Sequence, residues 1–301
     1  MQFPPISVRR ISVTFLALIA TFAQLSSARA LEQAPARLLD RVAFEVQAID
    51  DSSGYFVYSY RLSNSSSSRG AVAGVNIDLS AVRGTGGRAV LPSTGRFINT
   101  TGIAVGPVTD HVPIGAVTPQ DWIASLMPNA ILSWAADQGY ATEGPFTRDS
   151  AAVGGSKEGF GLRSPYYPGI RRFSAEPTLG SCCGRPRPGS GEYPVSGEFR
   201  VRSLTVVPAI QPEDIRVETV RSDLQQVCGL LSWIADRLCG GLRALVQDAA
   251  AALQRGNAER AKQALRSLLQ ELDNQHGPGK PVNDNAYWLL KVNAAYLLAH
   301  L

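Results

Sequence analysis

Long apolar runs, histidine and cysteine are all scarce in this sequence of 301 residues. The apolar stretch from Ile11 to Phe22 is shorter than the roughly 20 residues that a membrane-spanning helix needs, so we expect no membrane insertion after signal cleavage. The three histidines and four cysteines do not lie at the spacing of metal ligands, and we expect no metal site. Carboxylates are scattered without a paired pattern, and no motif indicates a cofactor.

Positive charge is also scarcer than the total suggests. The chain has a net charge of +4, but Arg9, Arg10 and Arg29 lie in the first 30 residues, which contain no acidic residue, so the remainder carries +1. A nearly neutral protein has little electrostatic attraction for nucleic acid, and we expect no nucleic-acid partner. With 45% hydrophobic and 18% charged residues, the composition is that of an ordinary globular protein.

Residues 1–30 have the pattern of a secretory signal peptide. Arg9 and Arg10 precede the apolar stretch, and Ala28-Arg29-Ala30 supplies the small residues of a cleavage site. We expect cleavage after Ala30 and a secreted, periplasmic or extracellular protein in an oxidising compartment. The adjacent arginines leave twin-arginine export open as the route.

Residues 31–207 are typical of β structure. Apolar and polar residues alternate from Val42 to Ala48 and again from Phe56 to Leu62, after a turn at residues 50–54. Further short candidate strands are Val75–Leu79, Ala130–Trp134, Phe160–Arg163 and Phe199–Val207. Short strands separated by Gly, Ser and Asn clusters predict an antiparallel, immunoglobulin-like β-sandwich.

The period of the apolar residues changes to about 3.6 towards the C-terminus. Residues 208–221 contain two prolines and mixed charges, which we interpret as a linker. Residues 222–301 then carry successive apolar stripes that predict a small antiparallel helical bundle. Gly256-Asn257 ends one helix and caps the next, and Asn283 or Asp284 caps the helix that follows. The expected fold class is therefore α+β, with the sandwich and the bundle as separate domains.

The helical region resembles the FIMAH-type C-terminal module. The resemblance is carried by Leu253–Asn257, Ala261–Leu272 and Ala286–Ala294. Such modules end many secreted bacterial proteins, often behind β-sandwich or repeat domains. The resemblance thus implies a secreted bacterial protein with an accessory module, and it assigns no active-site residue because no catalytic residues are established for the module.

The four cysteines of an exported chain predict disulfides. In one continuous helix Cys228 and Cys239 would lie about 16 Å apart, whereas a turn near residues 235–238 would bring them together. We expect this bridge in an oxidising compartment, and two buried thiols are the alternative. Cys182 and Cys183 are adjacent, so a bond between them would be strained. We favour that local bond over a free pair or links to Cys228 and Cys239.

Candidate catalytic residues are few. Asp110-His111 resembles half of a hydrolase dyad. The G-x-S-x-G pattern of a nucleophile fails at Ser156 because Glu158 occupies the place of the second glycine. The sequence therefore contains no coherent catalytic set of residues, although a fold could assemble one around His111.

Aromatic residues are better candidates for a binding surface. Tyr166, Tyr167 and Trp134 are candidates for contacts with a sugar or a peptide, with core packing as the alternative. Trp288 and Tyr296 lie off the apolar stripe of their helix and are candidates for docking the bundle onto the sandwich or onto a partner.

Together these patterns favour a secreted, non-enzymatic binding or scaffold protein whose partner is an extracellular protein or polysaccharide. The alternatives are a secreted hydrolase with a site assembled around His111, and a polysaccharide-binding adhesin that uses the loop at Tyr166.

Overall fold

The computed structural model describes residues 39–79, 116–119, 122–126, 131–136, 150–177 and 201–301. The described residues from Leu39 to Leu301 form one compact unit. Its described strands are β1 (Val42–Asp50), β2 (Phe56–Asn64), β3 (Val72–Asp78), β4 (Trp122–Leu126), β5 (Ile131–Ala136), β6 (Ser156–Ser164), β7 (Tyr167–Pro177) and β8 (Val201–Ile210). A short 3₁₀ turn then leads to the helices α1 (Val217–Gly229), α2 (Asp236–Gln254), α3 (Ala258–Gln275) and α4 (Asp284–His300).

The strands form two antiparallel sheets that share one core, which confirms the predicted sandwich. One sheet has the order β1-β2-β6 and the other has the order β4-β5-β3-β7-β8. The alternation predicted in β1 and β2 is present, with inward residues such as Phe44 and Tyr60 buried. The Phe44 ring stacks on Tyr60 at 4.6 Å and meets Trp134 of the opposite sheet at 5.9 Å, measured between ring centroids.

The predicted helix ends are also confirmed. Gly256, at a φ of 72°, follows α2, and the Asn257 side chain accepts a hydrogen bond of 2.9 Å from the backbone N–H of Arg260. Asn283 caps α4 in the same way, because its side chain accepts a bond of 2.9 Å from the Ala286 N–H. Each cap satisfies a backbone donor that the helix itself leaves without a partner. Within the described residues, no helix is both long and apolar enough to cross a bilayer.

The predicted disulfide between Cys228 and Cys239 is present and joins α1 to α2. The two Cα atoms lie 5.9 Å apart. The chain turns at residues 230–235, slightly earlier than the predicted turn at 235–238, because α1 already ends at Gly229. The two helices are therefore separate, and the single continuous helix is excluded.

The segment predicted as a linker, residues 208–221, is instead part of the folded core. β8 continues to Ile210, and α1 begins at Val217. Ile215 lies between the two elements and Val220 lies in the first turn of α1, and both side chains are buried in the common core. In the sequence, Pro208 suggests a linker, but it lies within β8. In the described sheet order β8 is an edge strand, and an edge strand tolerates a residue without a backbone N–H. The sandwich and the helices are consequently continuous rather than domains separated by a linker.

Candidate functional site

Helix α4 covers the free edge of β1. An edge strand leaves backbone N–H and C=O groups without a neighbouring strand. The buried side chain of Asn285, in the first turn of α4, pairs with one such N–H group and one such C=O group of β1. Its Oδ1 accepts a bond of 2.9 Å from the Val46 N–H, and its Nδ2 donates a bond of 3.2 Å to the Phe44 carbonyl. The side-chain amide thus takes the place of a peptide group from another strand and fixes α4 against the sandwich.

A second buried polar contact holds α4 about two turns further along. The Asn293 Nδ2 atom donates to the Pro168 carbonyl at 3.1 Å and to Asp223 Oδ2 at 3.2 Å. Burial raises the pKa of the Asp223 carboxyl to about 7, against the opposing effects of the Asn293 hydrogen bond and the charge of Arg171. Asp223 lies where α1, α4 and β7 meet, and its charge therefore changes near neutral pH.

The predicted binding residues Tyr166 and Tyr167 lie beside α4. The Tyr167 ring packs edge-on against Phe56 at 4.6 Å and against Tyr296 of α4 at 4.8 Å. Of the two docking roles considered for Tyr296, contact with the sandwich is therefore the one that the structure shows. Tyr166 is half-buried, and its carbonyl accepts a bond of 2.7 Å from the Tyr58 hydroxyl.

The suggestion that Trp134 contacts a ligand is corrected. Its side chain is 0% exposed because β5 lies between β4 and β3 with the indole directed into the core. Its Nε1 donates a bond of 3.0 Å to the Val117 carbonyl. Core packing, the alternative considered for this residue, is what the structure shows.

Three other predictions fall on residues that the structure does not describe. The signal peptide at residues 1–30, the candidate catalytic His111 and the adjacent Cys182 and Cys183 all lie outside the described residues.

A groove of about 500 Å³ lies where the outer face of the three-stranded sheet meets the helices. Ser59 of β2 and the facing Gly161 of β6 belong to its lining, together with Gly159. A Cβ atom at Gly161 would lie 2.8 Å from the Tyr58 carbonyl oxygen, and Gly159 has a φ of 95°. Both positions therefore require glycine, so β6 presents bare backbone to the groove here.

Two carboxylates lie close to one guanidinium on the helical side of the groove, and a third, that of Glu158, also belongs to the lining. Arg61 Nη2 lies 2.7 Å from Glu45 Oε2 and 3.7 Å from Asp284 Oδ2, and the charge of Glu158 also acts on Arg61. The hydrogen bond and charge of Glu45 raise the pKa of the Arg61 guanidinium. Because the carboxylates outnumber the guanidinium, this part of the groove has an excess of negative charge.

The helical wall of the groove is held by a chain of side-chain contacts. His276 Nε2 lies 2.8 Å from Asp284 Oδ1, and the imidazole stacks on the Tyr287 ring at 3.7 Å. The Tyr287 hydroxyl donates a bond of 2.7 Å to Asp273. The neighbouring Trp288, which also lines the groove, meets the Tyr287 ring edge-on at 5.0 Å. The wall is therefore ordered by contacts within the protein, which lowers the entropy cost of binding a ligand.

The sequence pattern did not reveal this groove. Glu45 and Arg61 occupy outward positions of predicted strands, which is the one local signal that a polar surface exists there. Asp284 was interpreted only as a candidate helix cap, and His276 only as one of three histidines without the spacing of metal ligands. Their contribution to one site depends on how α4 docks, and that docking depends on Asn285, which has no distinguishing local pattern.

The fold and the groove define a β-sandwich protein with a helical module packed against the edge of one sheet. The model of the FIMAH domain matches residues 232–299, which contain α2, α3 and most of α4. The C-terminal module is thus similar to the FIMAH domain, as the resemblance in the sequence predicted. The match includes His276, Asp284 and Trp288, whereas the sandwich and α1 lie outside it. A search of curated proteins finds no match to the chain.

Proposed function

We propose that the protein is an exported, non-catalytic binding protein whose ligand occupies the groove between the three-stranded sheet and the helical module. The observation that carries this proposal is the concave lining of the groove, which combines Glu45 and Arg61 of the sheet with Asp284 and Trp288 of the helices. Ligand sites are usually concave and combine apolar or aromatic side chains with a few polar or charged groups that orient the ligand.

The two modules also present the groove as a preformed surface. Asn285 and Asn293 hold α4 to the sandwich through buried hydrogen bonds, so the two walls have a fixed spacing. In this proposal the immunoglobulin-like sandwich is the scaffold, and the FIMAH-type module completes the binding site. The Cys228–Cys239 disulfide suits the oxidising compartment expected for an exported protein.

A substitution that fills the groove tests its role. Ser59→Trp places a large side chain in the groove at an exposed position of β2, and Ser203→Trp, at an exposed position of β8, is the matched control. We expect Ser59→Trp to weaken binding of a short peptide or an oligosaccharide about tenfold or more, which corresponds to about 1.4 kcal/mol. The control should bind as the unaltered protein does. Equal binding by both variants, measured by thermophoresis with chemically defined ligands, would contradict the proposal.

Export is tested separately. Expression of the full chain in a bacterium, followed by sequencing of the exported protein from its amino end, should show Leu31 as the first residue. Retention of the uncleaved chain in the cytoplasm would contradict the export proposal and would leave the groove proposal to be judged on its own test.

A further inference from the structure

We propose that the occupant of the groove is an extended peptide segment that carries a basic side chain. This inference rests on the proposed function, because it names the ligand class of the same groove. It follows from three properties of the lining, namely its length along one strand, its two chemically different parts and its excess of carboxylates.

The groove follows the outer face of β2. Val57, Ser59 and Arg61 all line it and are successive outward positions of this strand. Val57 and Arg61 are therefore separated by about 13 Å. Opposite Ser59, Gly161 of β6 contributes backbone and no side chain to the lining. An extended peptide of about five residues has the same reach, since its side chains at positions i and i+4 point to one face about 13 Å apart.

One part of the groove is apolar. Val57 is 39% exposed and Val117, which pairs with Gly161 through two backbone hydrogen bonds, is 38% exposed. Two exposed valines on one sheet face offer apolar area that an alternating peptide covers with every second side chain. Arg163, the cross-strand partner of Val57 on β6, is paired with Asp51 at 2.6 Å, so its charge already has a partner.

The other part of the groove attracts a cation. The carboxylates of Glu45, Asp284 and Glu158 outnumber the one guanidinium, that of Arg61, among the described lining residues. Asp284 is also hydrogen-bonded to His276, which leaves Glu45 and Glu158 as the acids whose one basic partner in the lining is Arg61. A basic side chain placed here gains from this excess of negative charge, and an anionic ligand is repelled. The adjacent indole of Trp288 adds a ring face or edge for the alkyl or guanidinium part of such a side chain. A neutral saccharide uses neither the charge excess nor the separated apolar part.

The test compares defined probes on the intact mature protein. The probes are an acetylated and amidated heptapeptide with valine and arginine four positions apart, the same peptide with glutamate in place of arginine, and cellotetraose as a neutral saccharide. We expect the arginine peptide to bind at least tenfold more tightly than the glutamate peptide, and its affinity to fall as salt is raised.

Charge variants then locate the contact. Glu158→Lys reverses an exposed carboxylate in the groove, and Glu218→Lys makes the same change on the exposed surface of α1. We expect Glu158→Lys to weaken binding of the arginine peptide about fivefold or more, and Glu218→Lys to leave it unchanged.

The outcomes separate this inference from the proposed function. If cellotetraose binds and Ser59→Trp abolishes its binding, while the arginine peptide does not bind, the groove is a binding site and the peptide inference is wrong. Equal binding of the arginine and glutamate peptides, or equal effects of Glu158→Lys and Glu218→Lys, also refutes it. If none of the three probes binds, both proposals fail.

Discussion

Replacing Asn285 with alanine tests the contact on which the position of the helical module depends. The variant removes the acceptor of the Val46 N–H and one donor to the Phe44 carbonyl. The Phe44 carbonyl keeps a second donor, the Thr205 hydroxyl, whereas the buried Val46 N–H loses its side-chain partner. The two losses are therefore unequal, and most of the destabilisation should come from the Val46 N–H that is left without a partner.

The expected magnitude follows from this inequality. A buried donor left without a partner costs about 1–3 kcal/mol, and the second hydrogen bond contributes about 0.5–1.5 kcal/mol. Alanine favours the helix by a few tenths of a kcal/mol, which offsets little. We expect the free energy of unfolding of Asn285→Ala to fall by about 2–4 kcal/mol, or roughly 5–12 °C in Tm for a unit of this size.

Urea unfolding and amide hydrogen exchange check this prediction. The Val46 amide should exchange faster in Asn285→Ala than in the unaltered protein, and Asn274→Ala, at an exposed position of α3, should change neither measurement. A loss of stability below about 0.5 kcal/mol with unchanged protection of Val46 would refute the conclusion that the amide replaces a neighbouring strand.

Three further substitutions probe other parts of the fold. The pKa of Asp223 rises from 3.8 to about 7 on folding, so the folded state binds the proton more tightly and stability should fall as pH rises from about 4 to 7, by up to about 4 kcal/mol. Asp223→Asn should remove this part of the pH dependence in urea titrations, and an unchanged difference between about pH 5 and pH 8 would contradict it. Replacing Cys228 and Cys239 together with serine should cost about 2–3 kcal/mol, because the bridge closes a short loop; a Tm that does not change would show that the bridge adds no stability. Gly161→Ala should cost about 1–3 kcal/mol because its Cβ would meet the Tyr58 carbonyl, whereas Gly240→Ala in α2, with nothing within 4 Å of its Cβ, should be stabilising in the same thermal melts.

Local patterns predicted the elements whose cause is local. The alternation of β1 and β2, the cap at Asn257 and the bridge between Cys228 and Cys239 are all confirmed, because each depends on neighbouring residues or on a short loop. The immunoglobulin-like class of the sandwich stays a prediction.

The site depends on contacts that the local pattern does not contain. Trp134 was a candidate for a binding surface because the sequence around a lone aromatic residue in a short strand does not show whether that residue is buried. Its burial depends on the position of β5 inside the five-stranded sheet. The groove likewise exists only because α4 meets β1. Tyr296 was suggested as a docking residue from its place off the apolar stripe, and this part of the junction was therefore within reach of the sequence.

The hydrogen bonds of Asn285 also set an order of events in folding. Val46 and Asn285 are 239 positions apart, so at a synthesis rate of about 5–20 residues per second the residues of β1 are made roughly 10–50 s before Asn285. Wherever the chain folds, the edge of β1 is open to pairing with other chains until α4 packs against it. Docking of the helical module therefore ends an aggregation-prone stage of folding. The sandwich can reach its stable form only after α4 has packed against β1.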